Sequence, residues 1–288
     1  MASNLTTRIA FAAIAIPIAL GVVWYGGLPL ALLISLVAWL GTSELLTFSR
    51  QQGIRPWAPA ALVSAAALPL LAWAAATRPE TAATVDAAYP YAAALWVIVV
   101  LVATLARLAP TQKPLSAAAI TLFAPLYAGA LPAFVLTMRH ANQGERSVAG
   151  TALVFFPLVT VWVCDSVAMT VGKRVGGPKL WPTVSPNKTW SGSIGGFVGA
   201  LAMAPIFTSA VFRPAGVEIS PWQALAVAGV LGVMGQIGDL AESLLKREVG
   251  MKDSSHLIPG HGGVLDRFDS LYFAIPLTAG LYRLFGII

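Results

Sequence analysis

Half of the twelve acidic residues in this 288-residue chain fall in one stretch, Gly238 to Ser270: Asp239, Glu242, Glu248, Asp253, Asp266 and Asp269. Lys246, Arg247, Lys252 and Arg267 share it, with two of the three histidines, His256 and His261. Several carboxylates without cysteine neighbours suit a hard, oxygen-seeking cation such as magnesium. Lysines and arginines beside them suit phosphate groups. Together these are the parts of phosphoryl or nucleotidyl transfer, in which a cation and basic side chains neutralise charge on the transferring oxygens. A solvated juxtamembrane loop laced with ion pairs would explain any one of these residues, but it explains the whole constellation less well.

The stretch has internal order. Asp239, Glu242, Ser243 and Lys246 are spaced three or four apart and share one face of a helix. Pro259 with Gly260, Gly262 and Gly263 forces a tight irregular loop, and glycines let a backbone approach a ligand and leave its amides free for anions. Asp266 and Asp269 share a face if a helix has begun there. A second polar segment runs from Asp165 to Gly196. It places Asp165 two turns before Lys173 and Arg174, then a compact turn of Ser185, Pro186, Asn187, Lys188 and Thr189 ahead of another helix. A Ser or Thr at a helix start can cap it, and free N-terminal amides favour phosphate. A basic topogenic loop with a helix cap accounts for the same residues equally well.

The elements that hold these segments are apolar. The chain is 57% hydrophobic and 10% charged, with a mean hydropathy of +0.77. A soluble domain carries about 25% charged residues. Soluble enzyme, disulfide scaffold and disordered tail are excluded, and long non-alternating apolar runs exclude a β-barrel. The expected fold is all-α, a polytopic integral membrane protein of about nine transmembrane helices, over 9–26, 28–48, 57–76, 88–109, 115–138, 149–172, 190–212, 221–240 and 268–288. One membrane domain is expected, with 1–148 as N-terminal helices and 149–288 as catalytic helices and cytoplasmic loops. The run after Arg8 has the outline of a signal peptide, but it continues past Trp24 and reads as a retained helix.

Lys173, Arg174, Lys179, Lys188, Lys246, Arg247, Lys252 and Arg267 put both polar segments in the cytoplasm by the positive-inside rule. The sides balance without those segments, so the orientation rests on them. The net charge of +6 is then assigned to loops facing anionic lipid, not to nucleic acid. The single cysteine, Cys164, reads as a small buried side chain. Gly192 and Gly196, Gly195 and Gly199, and Gly229, Gly232, Gly235 and Gly238 form small-residue stripes for close helix packing, within the chain or between subunits. Glu44 reads as structural or interfacial, and His140 has no assigned role.

The second half of the chain resembles the phosphatidate cytidylyltransferase (CDP-diacylglycerol synthase) family. That family's pattern runs S-x-x-K-R, four residues, K-D, a small-residue stretch, P-G-H-G-G and D-R-x-D. Here stand Ser243, Lys246-Arg247, Lys252-Asp253, Pro259-Gly260-His261-Gly262-Gly263, Asp266-Arg267 and Asp269 at matching spacing. The earlier segment is similar to the family's D-x-x-A-Y…G-R…G…S-P-x-K-T-x-E-G stretch. Met169 replaces the usual tyrosine, Ser191 a common acidic residue, and Ser255 a frequent glycine, departures that concern secondary contacts.

The resemblance implies that CTP and phosphatidic acid give CDP-diacylglycerol and pyrophosphate in phospholipid biosynthesis. It implies magnesium, leaves room for potassium as a second cation, and implies a homodimer in the cytoplasmic membrane with its site facing the cytoplasm. Its catalytic set maps onto Asp239, Lys246, Arg247, Lys252, Asp253, His261, Asp266, Arg267 and Asp269, with Asp239, Asp266 and Asp269 holding the cation. Substrate contacts fall to Asp165, Lys173, Arg174, Ser185, Asn187, Lys188, Ser243, Gly262 and Gly263. The rivals are a related CTP-dependent transferase acting on a prenol or an ether lipid, such as a polyprenol kinase, a transporter and a lipid-binding scaffold. A transporter would scatter ionisable residues near midplane, and a scaffold would lack the acidic cluster.

Overall fold

A computed structural model describes residues 13, 17–141, 147–258 and 262–288. The chain divides into two compact units. One comprises Met1–His140 with Asp253–Arg267, the other Ala141–Lys252 with Phe268–Ile288. Seven helices among the described residues are long and apolar enough to cross a membrane. They correspond to the second through eighth expected spans. Most of the first lies outside the described residues. The ninth is a helix, Leu265–Leu284, but it opens on charged residues and is not among the seven.

In the first unit, α1 (helical over 17–25) turns at Gly26 into α2 (Gly27–Gln51). Then come α3 (Ala58–Thr77), α4 (Pro79–Arg107), a short 3-10 turn, α5 (Pro114–Pro125), a π-turn (Leu126–Ala130) and α6 (Leu131–His140). Proline stands in the first turn of α3, α4 and α5, where its missing N–H costs nothing. The run α5–α6 is one crossing in two pieces. The π-turn follows Pro125, which cannot donate to the helix ladder, and brings Gly129 onto the backbone of Ala65, where a Cβ would lie 2.8 Å from the carbonyl oxygen. The helix α2 is the inner one, burying Leu30, Ala31, Ile34, Ala38, Leu45 and Leu46. By contrast α4 turns Leu95, Ile98, Leu101, Val102 and Leu105 outward, as a helix facing lipid can.

Polar side chains stitch this unit where the backbone would otherwise be orphaned. The buried Arg139 donates from Nε to Val23 O (2.8 Å) and from Nη2 to Trp24 O (2.6 Å), closing carbonyls at the end of α1. His140 accepts from Gly27 N–H (2.9 Å) at Nε2, so Nδ1 carries the proton and donates to Leu136 O (2.9 Å). The turn packs tightly here: Gly26 has φ +70°, and a Cβ would lie 3.0 Å from Arg139 Cζ.

The second unit comprises α7 (Val148–Val175), a hairpin of β1 (Lys179–Trp181) and β2 (Ser185–Thr189), α8 (Trp190–Phe207), which continues through a π-turn to Phe212, α9 (Pro221–Glu248), and α10 (Leu265–Leu284) from Phe268 onward. The hairpin, pairing Lys179 with Thr189 and Trp181 with Ser185, replaces the compact turn expected from the sequence. Three residues are too short a run for period-two alternation to show.

The glycine stripes find their partners inside this unit. A Cβ at Gly192 would lie 2.6 Å from Ala168 O, and one at Gly196 would lie 2.8 Å from Cys164 O, so α8 sits on the backbone of α7. Gly232 meets Phe197 and Ala200, and Gly238 meets the backbone of Asp269. Cys164 is buried as expected, its Sγ 3.8 Å from Gly232 O. Overpacking such a contact costs about 1–3 kcal/mol. Gly196→Ala is therefore expected to lower the melting temperature in detergent. Gly229→Ala, whose Cβ would meet only Leu201 at 3.7 Å, is expected to leave it unchanged.

Candidate active site

The polar face of α9 is formed as its spacing required, and in the second unit it meets a lysine delivered by the hairpin. Lys188 Nζ lies 2.6 Å from Asp239 Oδ2, with both side chains about a quarter exposed. Ser243 Oγ donates to the other oxygen of Asp239 (3.3 Å). Asp165 on α7 and Asp269 on α10 lie within electrostatic reach of Asp239 and of each other, and Lys188 acts on Asp165 as well. Three carboxylates thus share one neighbourhood, with Lys188 acting on Asp239 and Asp165 and the Glu242-paired Lys246 acting on Asp269. Asp269 Oδ1 accepts from the N–H of Ser270 (2.6 Å).

Local bonds explain why Lys188 arrives there. Thr189 ends β2 and caps α8, its Oγ1 accepting from Gly192 N–H (3.2 Å). Ser191 donates to Gly176 O, which ties the start of α8 to the end of α7. This is a structural use for a residue that departs from the family pattern. Arg247 donates from Nε to Val184 O (3.2 Å) and from Nη1 to Met251 O (2.7 Å), holding the turn of the hairpin against the end of α9. Lys246 is buried in an ion pair with Glu242 (3.4 Å), one turn back on α9. Ser185 is half-buried and Asn187 exposed on β2, while Lys173 and Arg174 are exposed in the last turn of α7.

In the first unit the segment Asp253–Arg267 folds around two carboxylates. Asp266 Oδ2 accepts from Ser254 N–H (2.7 Å) and Gly263 N–H (2.8 Å). The Ser254 hydroxyl lies 2.9 Å from that oxygen and 2.8 Å from Glu44 Oε2, with a single proton to give. Glu44 also accepts from the Ser255 hydroxyl (2.7 Å), Val264 N–H (2.9 Å) and Leu265 N–H (2.9 Å). Both loop glycines are required. Gly262 has φ +79°. At Gly263 a Cβ would overlap the Ser254 hydroxyl and lie 2.5 Å from Glu44 Oε1. Asp253 and Arg267 are exposed in this unit, as is Lys252 at the edge of the other. His261 lies outside the described residues, with Pro259 and Gly260.

Sequence reading gave Glu44 a structural place, which it has, but missed Ser254 as its link to Asp266. The only signal was a serine pair beside Asp253. Among the described residues no three His, Cys, Asp or Glu side chains close on one point as a preformed metal cage. Magnesium does not need one, because it is usually held by one or two carboxylates together with water and substrate phosphates. The oxygen-rich, lysine-countered set of Asp165, Asp239 and Asp269 has that chemistry.

The Lys188–Asp239 pair is expected to couple. In a double-mutant cycle with Lys188→Met and Asp239→Asn, scored by thermal unfolding, a coupling of about 1 kcal/mol is expected. Strict additivity would show that the pair contributes nothing.

The chain matches the Cytidylyltransferase family over residues 6–285. It is 42% identical over 163 residues to a phosphatidate cytidylyltransferase of Bacillus subtilis (strain 168), a match covering 57% of this chain and 57% of that one. It is 47% identical over 146 residues to one of Brucella abortus (strain 2308), covering 51% and 50%. Against one of Staphylococcus aureus (strain COL) it is 42% identical over 133 residues, covering 46% and 50%. The chain thus spans about half the length of the curated relatives it matches. The match over almost the whole chain, in a helical membrane fold that presents clustered carboxylates and lysine, establishes that the chain belongs to the cytidylyltransferase family.

Proposed function

We propose that this protein transfers the cytidylyl group of CTP to phosphatidate, at the cytoplasmic face of the cell membrane, giving CDP-diacylglycerol and pyrophosphate. The observation that carries the reading is the neighbourhood of Asp165, Asp239 and Asp269, with Lys188 paired to Asp239. The relatives named phosphatidate cytidylyltransferase supply the substrate class.

The phosphatidate phosphate oxygen attacks the α-phosphorus of CTP. The bond from that phosphorus to the bridging oxygen breaks, and pyrophosphate leaves with the electron pair. An ionised phosphate monoester is already a nucleophile, so the main barrier is bringing two polyanions together. Magnesium, when bound, supplies positive charge on the CTP phosphates. Asp239 and Asp269 would hold it, with Asp165 beside them. Asp266, assigned to the same ion by the family pattern, has its Oδ2 occupied by two backbone amides. Its visible work is to shape the glycine loop, which leaves it fewer lone pairs for a cation.

Lys173, Arg174 and Lys252 are exposed in the second unit and Arg267 in the first, and this reading assigns them to phosphate oxygens. Lys246 and Arg247 are engaged within the fold, and they hold the end of α9 and the hairpin for the others. Potassium as a second ion and a homodimer belong to the same reading. The glycine stripes lend the dimer little support, since most of them are used inside the second unit.

The test is lipid labelling in detergent micelles, with purified protein, phosphatidate, CTP labelled in the cytidine and magnesium. Label is expected in the lipid phase only when phosphatidate is present, and EDTA is expected to abolish it. Asp239→Asn is expected to cost about 100-fold or more in turnover. Asp266→Ala is expected to abolish turnover in protein that still elutes as a folded species. Wild-type labelling rates in these variants would sink the residue assignment. Absence of labelling from folded wild-type protein, across several acyl chains and with potassium added, would sink the reaction.

A further inference from the structure

We infer that Glu44 is a positioning residue for the Asp253–Arg267 segment, acting through Ser254, Ser255 and the start of α10 to fix the direction of Asp266 and Arg267. The inference rests on the reading above for the effect on turnover, but not for the effect on the loop.

Glu44 sits in α2 at 6% exposure. Burying a carboxylate costs several kcal/mol unless partners offset it. No cation pairs with Glu44 among the described residues. Its four donors all come from the one segment: the hydroxyls of Ser254 and Ser255 and the amides of Val264 and Leu265. The Leu265 amide opens α10, and the Val264 amide stands immediately before it. A helix start leaves its first N–H groups without partners, and a Ser, Thr, Asp or Asn at the cap position usually supplies one. Here the residue before the helix is Val264, which has no acceptor. Glu44 supplies the missing cap from 221 positions upstream.

The chain around this cap leaves no slack. A side chain at Gly263 would strike Glu44, and one at Gly262 would lie 2.5 Å from Asp266 Oδ2. The Ser254 hydroxyl spans the two carboxylates, so the position of Asp266 is set from Glu44 through one serine. Because Arg267 follows Asp266 in the first turn of α10, the same cap sets the rotation from which Arg267 projects.

The test compares wild type with Glu44→Gln, which keeps the size of the side chain. Glutamine offers one acceptor oxygen and turns an N–H toward a second donor, so at least one of Val264 N–H and Leu265 N–H loses its partner. Hydrogen exchange of the 254–266 amides is expected to accelerate, while exchange in the second unit stays at wild-type values and the melting temperature falls only slightly. Turnover is expected to fall about 100-fold, chiefly in kcat, as for a small misplacement of reacting groups.

Glu44→Gln with wild-type exchange in 254–266, or with wild-type kcat, would overturn the inference. If Glu44→Gln does not fold, the double variant Ser254→Ala/Ser255→Ala removes the loop's hydroxyls and leaves α2 intact. Faster loop exchange and lower kcat then support the inference, and unchanged values overturn it. If wild-type protein transfers no cytidylyl group, the proposed reaction falls, while the exchange comparison still decides the role of Glu44.

Discussion

A charge placed in an apolar helical protein must find its partners close by, and that constraint organises most of what is distinctive in this structure. Glu44 and Asp266 are satisfied by backbone amides and serines of one loop. Arg139 closes the carbonyls at the end of α1. Asp239 takes Lys188, and Glu242 takes Lys246. The first of these arrangements fixes a loop with no regular structure of its own, and the second closes the end of a helix. The polar loops of the protein are shaped by the same groups that would be costly to leave unsatisfied.

Close packing supplies the rest. Within the second unit, glycines let α8 lie on the backbone of α7 and let α9 approach the start of α10. Those approaches put Asp165, Asp239 and Asp269, from three different helices, in one neighbourhood. Bulkier residues at Gly192, Gly196 or Gly238 would separate the helices before they altered any charge. The placing of these carboxylates and small-residue packing are therefore one problem in this unit.

Much of this was legible in the sequence, for identifiable reasons. Apolar run length marked the spans, because lipid allows little but helix to cross it. The three-and-four spacing of Asp239, Glu242, Ser243 and Lys246 survives as one face of α9. Cys164 was read as a small buried side chain, and it is buried; Glu44, read as structural or interfacial, is buried and bonded to one loop. The misses involve long-range partners. Nothing in sequence spacing says that Glu44 meets a loop more than two hundred residues away, or that Arg247 donates to the carbonyl of Val184 in the hairpin. The hairpin at 179–189 escaped because its strands are too short to show a period. The glycine stripes were visible, but periodicity cannot say whether a stripe faces its own chain or another.

The central claim is a cytidylyl transfer, and the fate of the CTP phosphorus atoms tests it most directly. CTP labelled at the α-phosphorus and CTP labelled at the γ-phosphorus would be supplied separately to the purified protein with phosphatidate and magnesium. The account requires the α-label to enter the lipid and the γ-label to appear in pyrophosphate. Entry of the γ-label into lipid, with CDP released, would instead show a CTP-dependent kinase and would contradict it.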